Sequence, residues 1–325
     1  MKCIVTTVGT SLFTNYLQVS AFIEADYEKI KDATHSEWND RQSRIQCIRT
    51  NSDFKGWVSR HLAASCAEIA SLLKIVEYEH DDVHVRLLAT DTVLSRLAAE
   101  IIAEQTIQHS VSGKTVFVKF DPVRDVIVGF RVDDAEEFET NGLHNFVWRF
   151  IGLQKQYGVL ILNITGGYKG LIPYLTIMGQ INQVSVMYKF EESDELITIP
   201  QLPINFDWEL AVEYGEQVSG DLKKLAENEK KKLIENNILN GNGKLTQLGR
   251  IFKIFAETVD VKDVLEKHLR GYCAEFRWFE YYVSKYPERK VRRSVSKGQQ
   301  IAEKTISKEV DIVIEGDGQV IIAES

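Results

Sequence analysis

Val159–Gln180 reads VLILNITGGYKGLIPYLTIMGQ, and this stretch decides the fold class. Its first five residues, Val159–Asn163, have the length and the Val/Ile/Leu bias of a fully buried strand. A loop follows, Thr165-Gly166-Gly167-Tyr168-Lys169-Gly170. Leu171–Gln180 then reads as a helix. Strand, glycine loop and helix in that order make half of a parallel crossover unit.

Working outward, the same alternation holds over residues 1–205. Lys2–Thr7 (KCIVTT), Val83–Thr90 (VHVRLLAT) and Lys114–Phe120 (KTVFVKF) read as further strands. Val126–Val132 is another strand or half of a hairpin. Val184–Phe190 and Glu195–Ile199 form a terminal hairpin. Between them, Ala21–Lys31, Ser52–Leu73, Ser95–Gln105 and Ala135–Gln156 read as helices. The expected architecture is α/β: an open, mostly parallel, Rossmann-like sheet with helices on both faces.

The character changes after Leu202-Pro203. Residues 206–265 carry helical periodicity, and Leu233–Phe252 (LIENNILNGNGKLTQLGRIF) has the helix, turn and short strand of a winged helix-turn-helix. Residues 266–325 form a third block. Gly271–Lys285 reads as a helix with an aromatic face, and the basic stretch from Lys285 to Lys308 holds eight Lys or Arg against two Glu. Val310–Ile314 and Val320–Ala323 are two strands joined by the hairpin signal EGDG.

Composition narrows the function classes. The chain has 325 residues, 44% hydrophobic and 26% charged, which fits two or three globular domains. A net charge of -8 gives no global sign of nucleic-acid binding, though it permits a local basic patch. The cysteines Cys3, Cys47, Cys66 and Cys273 are scattered without a CxxC pair, which speaks for a cytoplasmic protein without a disulfide framework or zinc ribbon. No apolar run approaches the ~20 residues of a membrane span, and MKCIVTTVGTSL is not a signal peptide.

Ligands of open parallel sheets bind where loops collect at the carboxyl ends of strands. Four such loops are legible: Val8-Gly9-Thr10-Ser11, Thr90-Asp91-Thr92, the segment from Asp121, and Asn163–Gly170. The last places three glycines, Thr165, Tyr168 and Lys169 where a helix starts. Backbone N–H groups, a helix N-terminus and an ammonium all favour an anion there. Neither a P-loop nor a G-x-G-x-x-G fingerprint is present.

TVGTSL (Thr7–Leu12) and NITGGYKG (Asn163–Gly170) together resemble the CRISPR-associated Rossmann-fold (CARF) sensor domains. The resemblance covers roughly residues 1–205. It implies a homodimer that binds a cyclic oligoadenylate, the four-membered ring above all, across its two-fold axis. Gly9, Thr10 and Ser11 would contact ribose and phosphate. Thr165, Gly166, Gly167, Tyr168 and Lys169 would close over the same ring, and Thr90, Asp91 and Thr92 would lie toward adenine. Some members also cut the ring without metal, by attack of a ribose 2′-hydroxyl on its neighbouring phosphate. Ser11 and Lys169 stand at the matching positions.

A second resemblance lies at the other end. Gly271-x-x-x-Glu275, then Glu309–Ile314, then Ile321–Glu324 look like the core of PD-(D/E)xK nucleases. That implies Mg²⁺ or Mn²⁺ held by Asp311 and Glu324, with Glu275 an outer or auxiliary carboxylate. DNA or RNA would be the substrate. The lysine that completes the pattern would be the residue after Ser325, so a continuation of the chain is expected. The combined expectation is a type III CRISPR effector whose nuclease answers to the ring. Its rivals are a dedicated ring nuclease and a ligand-responsive winged-helix DNA-binding regulator. Other features read as structure: His80–His84 as a solvated turn, the aromatic cluster at 272–282 as helix packing, and Lys230-Lys231-Lys232 as a solvated face.

Overall fold

The structure is a computed structural model. It describes residues 2–79, 83–105, 107–108, 115–131, 133–182, 184–190, 193, 195–200, 208–258, 281–295, 300–301, 304–305, 310–316 and 319–323. The chain forms two compact units, residues 1–207 with 217–258, and residues 208–216 with 259–325.

The first unit is built on seven strands: β1 (Cys3–Val8), β2 (Val83–Ala89), β3 (Ile107–Gln108), β4 (Thr115–Lys119), β5 (Leu160–Asn163), β6 (Ser185–Lys189) and β7 (Leu196–Ile199), in the order β3-β4-β2-β1-β5-β6-β7. The five inner strands run parallel, and β3 and β7 pair antiparallel at the edges. The expected Rossmann-like α/β fold is therefore present. All six residues of β1 and all four of β5 are buried, as a strand covered on both faces requires. From β1 the chain moves outward through β2 to β4, then returns to lay β5 on the other flank of β1. The switch in strand order thus falls between β1 and β5, where an open α/β sheet leaves a crevice at its carboxyl edge.

The helices differ in detail from expectation. α1 (Ser11–Leu17) begins directly after the first loop; α2 (Glu24–Tyr27) is one turn where a longer helix over Ala21–Lys31 was expected; α3 (Gln42–Thr50) falls in sequence that carries little pattern. The expected helix Ser52–Leu73 is three: α4 (Ser52–Arg60), α5 (Leu62–Ser65) and α6 (Ala67–Tyr78). Cys66 causes the second break, because its backbone is extended (φ -153°, ψ 160°). α4 starts where Asn51 accepts the Phe54 N–H at 2.9 Å, a side-chain N-cap. α7 (Val93–Ala103) follows β2, and α8 (Ala135–Glu137), a π turn (Phe138–Gly142) and α9 (Leu143–Tyr157) lead into β5. α10 (Ile172–Ile181) leaves the loop after β5.

Of the expected strand Val126–Val132, the described residues 126–131 form none. They make one isolated parallel bridge, Ala89 to Val126. Gly129, at φ +77°, then turns the chain away, and its carbonyl packs so closely on Gly142 that a Cβ there would lie 2.3 Å from it.

Packing around α1 explains why the first loop is held firmly. Phe13 and Tyr16 are buried against Phe54, with ring centroids at 5.7 and 5.0 Å. Each buried aromatic contributes about 1.5–3 kcal/mol. On the other flank Asp125 is fully buried between Arg149, whose Nε donates at 2.7 Å, and Arg86 at 3.5 Å. Burial raises its pKa, and the two guanidinium groups oppose that rise.

α11 (Trp208–Ser219) spans the boundary between the units, and α12 (Glu227–Glu235) and α13 (Gln247–Thr258) belong to the first. Leu239 and Leu245 form a bridge around the Asn240–Gly243 turn. α13 packs on α9, with Arg250 on Glu139 at 2.7 Å and His144 beside Glu257 at 3.5 Å.

In the second unit, β8 (Lys290–Val295), β11 (Val310–Gly316) and β12 (Gln319–Ala323) form an antiparallel sheet in the order β12-β11-β8, and β9 (Gln300–Ile301) pairs with β10 (Lys304–Thr305). Ile312, Val313 and Ile314 are buried. The basic stretch is partly strand, since Lys290, Arg292 and Arg293 lie in β8.

Candidate ligand-binding site

The loops after β1 and β5 meet at the switch point. A Cβ built at Gly9 would lie 3.0 Å from the backbone nitrogen of Gly167, so the absence of side chains lets the two loops touch backbone to backbone. Gly167 has φ +89°, a left-handed value natural to glycine. Thr7 Oγ1 donates to the Gly166 carbonyl at 2.7 Å, tying the end of β1 to the second loop. Thr165 is fixed from both sides: its N–H donates to Asn163 Oδ1 at 3.2 Å, and its hydroxyl accepts the Lys189 N–H at 2.9 Å. Asn163 is itself buried and donates to Ser71 Oγ at 2.8 Å.

Glu68, on α6, joins these loops from beneath. It is 1% exposed and was not among the residues expected in the site. Its carboxylate accepts the Gly9 N–H at 2.7 Å and the Ser11 hydroxyl at 2.9 Å. A Cβ at Gly166 would lie 2.5 Å from Glu68 Oε1, so Gly166 leaves the room that the carboxylate fills. Beside it, burial pushes the Cys66 thiol well above its ordinary pKa, and the Glu68 charge adds to the rise.

Lys169 opens a 3-10 turn, Lys169–Leu171, that runs into α10, and it is exposed. Pro173 in the first turn of α10 suits a helix start. Tyr168 is half-buried; burial raises its pKa, with Asp133 adding and Arg131 opposing.

The loop after β2 is built differently. Thr90 and Thr92 are buried, and Thr92 caps α7 by accepting the Ser95 N–H at 3.1 Å. Ser95, also absent from the expected set, accepts the Thr90 N–H at 2.9 Å and donates to the Val8 carbonyl at 2.7 Å, which fastens this loop to the end of β1. Asp91 accepts the Gly129 N–H at 2.8 Å. The structure therefore gathers Gly9, Thr10, Ser11, Thr165, Gly166, Gly167, Tyr168 and Lys169 at the switch point, with Thr90–Thr92 tied alongside through Ser95. The arrangement offers hydroxyls, backbone amides and one ammonium at a helix start, groups that suit a polar, anionic ligand.

Of the two carboxylates expected to hold a metal, Asp311 lies in β11 and Glu324 falls outside the described residues, as does the auxiliary Glu275. Among the described residues, no group of three or more His, Cys, Asp or Glu could hold a metal ion. No helix among them is long and apolar enough to cross a membrane. His84 stacks on Phe117 at 5.4 Å, while His80, Asp81 and Asp82 fall outside the described residues.

Fold and site together define a Rossmann-like sheet with two polar loops meeting at its switch point. Residues 63–202 match the family model of a CRISPR-associated protein, Cas_APE2256. That segment includes the second loop and most of the sheet, and leaves out β1 and the first loop. Among solved structures, Can2 from Sulfobacillus thermosulfidooxidans in complex with cyclic tetra-adenylate aligns with 99% of this chain and 78% of its own, at 10% identity and a TM-score of 0.25. That degree of superposition is too low to speak for a shared fold or ligand.

Proposed function

We propose that this chain is a cyclic-oligoadenylate sensor of type III CRISPR defence, with cyclic tetra-adenylate as its ring. The observation that carries this is the close approach of Gly9 to Gly167, which sets the two motifs of the sensor resemblance side by side at the switch point. The family match over residues 63–202 supports the same biological setting. A homodimer would present each loop twice to a ring of matching two-fold symmetry. Lys169 and the start of α10 would take the phosphates, and the loop after β1 would take the sugar. Residues 206–265 act in this reading as a winged-helix connector, and residues 266–325 as a PD-(D/E)xK-type nuclease region. Asp311 and Glu324 would hold Mg²⁺ or Mn²⁺, with Glu275 an outer or auxiliary carboxylate, and the metal would supply charge stabilisation at the phosphodiester. Ring binding activates the nuclease only to the extent that the ring prefers the active arrangement.

The test is calorimetric titration with cyclic tri-, tetra- and hexa-adenylate, with native mass spectrometry for the dimer. Plasmid DNA and single-stranded RNA are then incubated with Mn²⁺ or Mg²⁺, with and without the ring. The reading requires one ring per dimer and ring-dependent cutting. Absence of binding to every ring removes the sensor. Binding without cutting in either metal turns the reading to the regulator.

A second reading, ring cleavage, is favoured by the Ser11 hydroxyl, which the buried Glu68 holds in one direction beside the loop of Lys169. Linear products forming slowly in EDTA would establish it. Intact ring after long incubation with excess protein would leave binding alone.

A further inference from the structure

Ser11 is the residue both readings place against the ligand, and the structure fixes what kind of hydrogen bond it can make. A hydroxyl has one proton to donate and two lone pairs. The Ser11 proton goes to Glu68 Oε2 at 2.9 Å, and one lone pair takes the Ala67 N–H at 3.2 Å. One lone pair is left. Ser11 can thus accept one more bond and donate none. The Gly9 N–H is committed in the same way, to Glu68 Oε1 at 2.7 Å. A phosphate oxygen needs donors, and here it would meet a lone pair with a buried carboxylate behind it. That pairing of like charges is disfavoured most where water is excluded.

We infer that the loop after β1 is the hydroxyl-reading half of the pocket, and that Glu68 is the positioning residue that makes it so. Ser11 accepts a hydrogen bond from a neutral donor on the ligand. In a 3′–5′-linked oligoadenylate ring, each ribose keeps a single free hydroxyl, the 2′-OH, and that is the donor assigned to Ser11. Phosphates are left to the loop after β5, where Lys169 and the start of α10 lie. This inference rests on the sensor reading, but its content is separate: it sets the polarity of Ser11 and names the residue that sets it. Gly166 belongs to the same device, because only its missing Cβ lets Glu68 reach up to the first loop.

The test compares cyclic tetra-adenylate with the same ring bearing 2′-fluorine on all four riboses. Fluorine keeps the charge and the sugar pucker but cannot donate. Wild-type protein should bind the fluoro ring at least about fivefold more weakly, since one hydrogen bond is lost in each subunit. Glu68→Gln keeps the shape. Its amide oxygen would take the Gly9 N–H and its NH₂ would face Ser11, freeing the Ser11 proton to donate. In that variant a 2′-oxygen can accept from Ser11 without a proton of its own, so a ring methylated on all four 2′-oxygens should gain at least about fivefold in affinity relative to the fluoro ring, compared with the same ratio in wild type. A merely structural Glu68 would change affinity or melting temperature but leave this ratio alone. Equal binding of the natural and fluoro rings by wild type overturns the inference, as does an O-methyl-to-fluoro ratio left unchanged in Glu68→Gln. If the variant does not fold, the wild-type comparison decides. Wild type that fails to bind the natural ring overturns the sensor reading and this inference with it, an outcome distinct from binding without discrimination.

Discussion

Gly9 and Gly167 stand so close that a single Cβ on the former would come within 3.0 Å of the latter's backbone nitrogen. One glycine follows β1 and the other follows β5, strands that neighbour each other in the sheet but lie far apart in the chain. The contact makes the site a property of the sheet's topology, and it sets the order of severity among glycine substitutions.

Gly166→Ala should be worse than Gly9→Ala. The new methyl at residue 166 would meet Glu68 Oε1 at 2.5 Å and the Thr7 carbonyl at 2.6 Å, and the carbonyl is backbone that cannot swing aside. We expect a loss of about 1–3 kcal/mol of stability and a collapse of ring binding. Gly9→Ala meets the Gly167 backbone at 3.0 Å, a milder overlap, so it should lose less stability and bind more weakly than wild type. Thermal denaturation and calorimetry on both variants check the ranking, and equal behaviour would refute it.

Lys169→Ala should weaken ring binding without destabilising the fold, because the side chain is exposed. A charged hydrogen bond is worth about 1.5–3 kcal/mol and would be lost in each subunit. Unchanged affinity in a calorimetric titration would place Lys169 outside the site.

Cys3 and Cys66 should be inert and Cys47 reactive. Burial pushes the Cys3 thiol up to about 12, and Cys66 is raised as well, while Cys47 is exposed. Iodoacetamide at pH 8 should label Cys47 among these three, and label Cys3 and Cys66 only after denaturant is added, as read by peptide mass spectrometry. The same shift has a stability sign. An unfolded Cys3 ionises above its ordinary 9.0, whereas the folded one stays neutral until about 12. The unfolded state therefore loses its proton first, and stability from this residue falls as pH rises from 9.0 towards 12, by about 1.4 kcal/mol per unit. Urea titrations from pH 8 to 10.5 should show a shallower decline in Cys3→Ala than in wild type.

Asp311→Ala should abolish metal-dependent cutting of nucleic acid and leave ring affinity intact. A positioned catalytic group typically supplies about 10²–10⁴-fold. Parallel cleavage and binding assays separate the two effects. Ring-dependent cutting that survives in the variant would remove Asp311 from the nuclease reading.

The site loops were legible because glycine next to a strand end leaves a strong local mark, as in TVGTS and NITGGYKG. Glu68 was not, because its partners Gly9 and Ser11 are 59 and 57 residues away. A glutamate in a helix ordinarily reads as solvated. The signal that could have exposed it is periodicity: Glu68 shares the buried stripe of Ile69, Leu72, Ile75 and Val76. The break at Cys66 escaped for the opposite reason, since no Gly or Pro marks it. Val126–Val132 had a strand's apolar pattern, but Gly129 inside it takes a positive φ and ends the pairing. Thr90 and Thr92 read as ligand groups by position alone, whereas their burial and the capping of α7 emerge only once β2 is set beside β1.

α9 has two clients. At its far end it hands the chain through Gly158 to β5 and so to the loop of Gly166, Gly167 and Lys169. Along its flank it carries α13, held by His144–Glu257 on the helix itself and by Arg250–Glu139 on the π turn before it. Fifteen residues of helix make a rod about 22 Å long. Rods of that kind tilt or slide as wholes, because a helix compresses far less readily than a loop rearranges. The loop after β5 and α13 are therefore seated on one shaft, and a shift imposed at either place would reach the other as a movement of the whole rod.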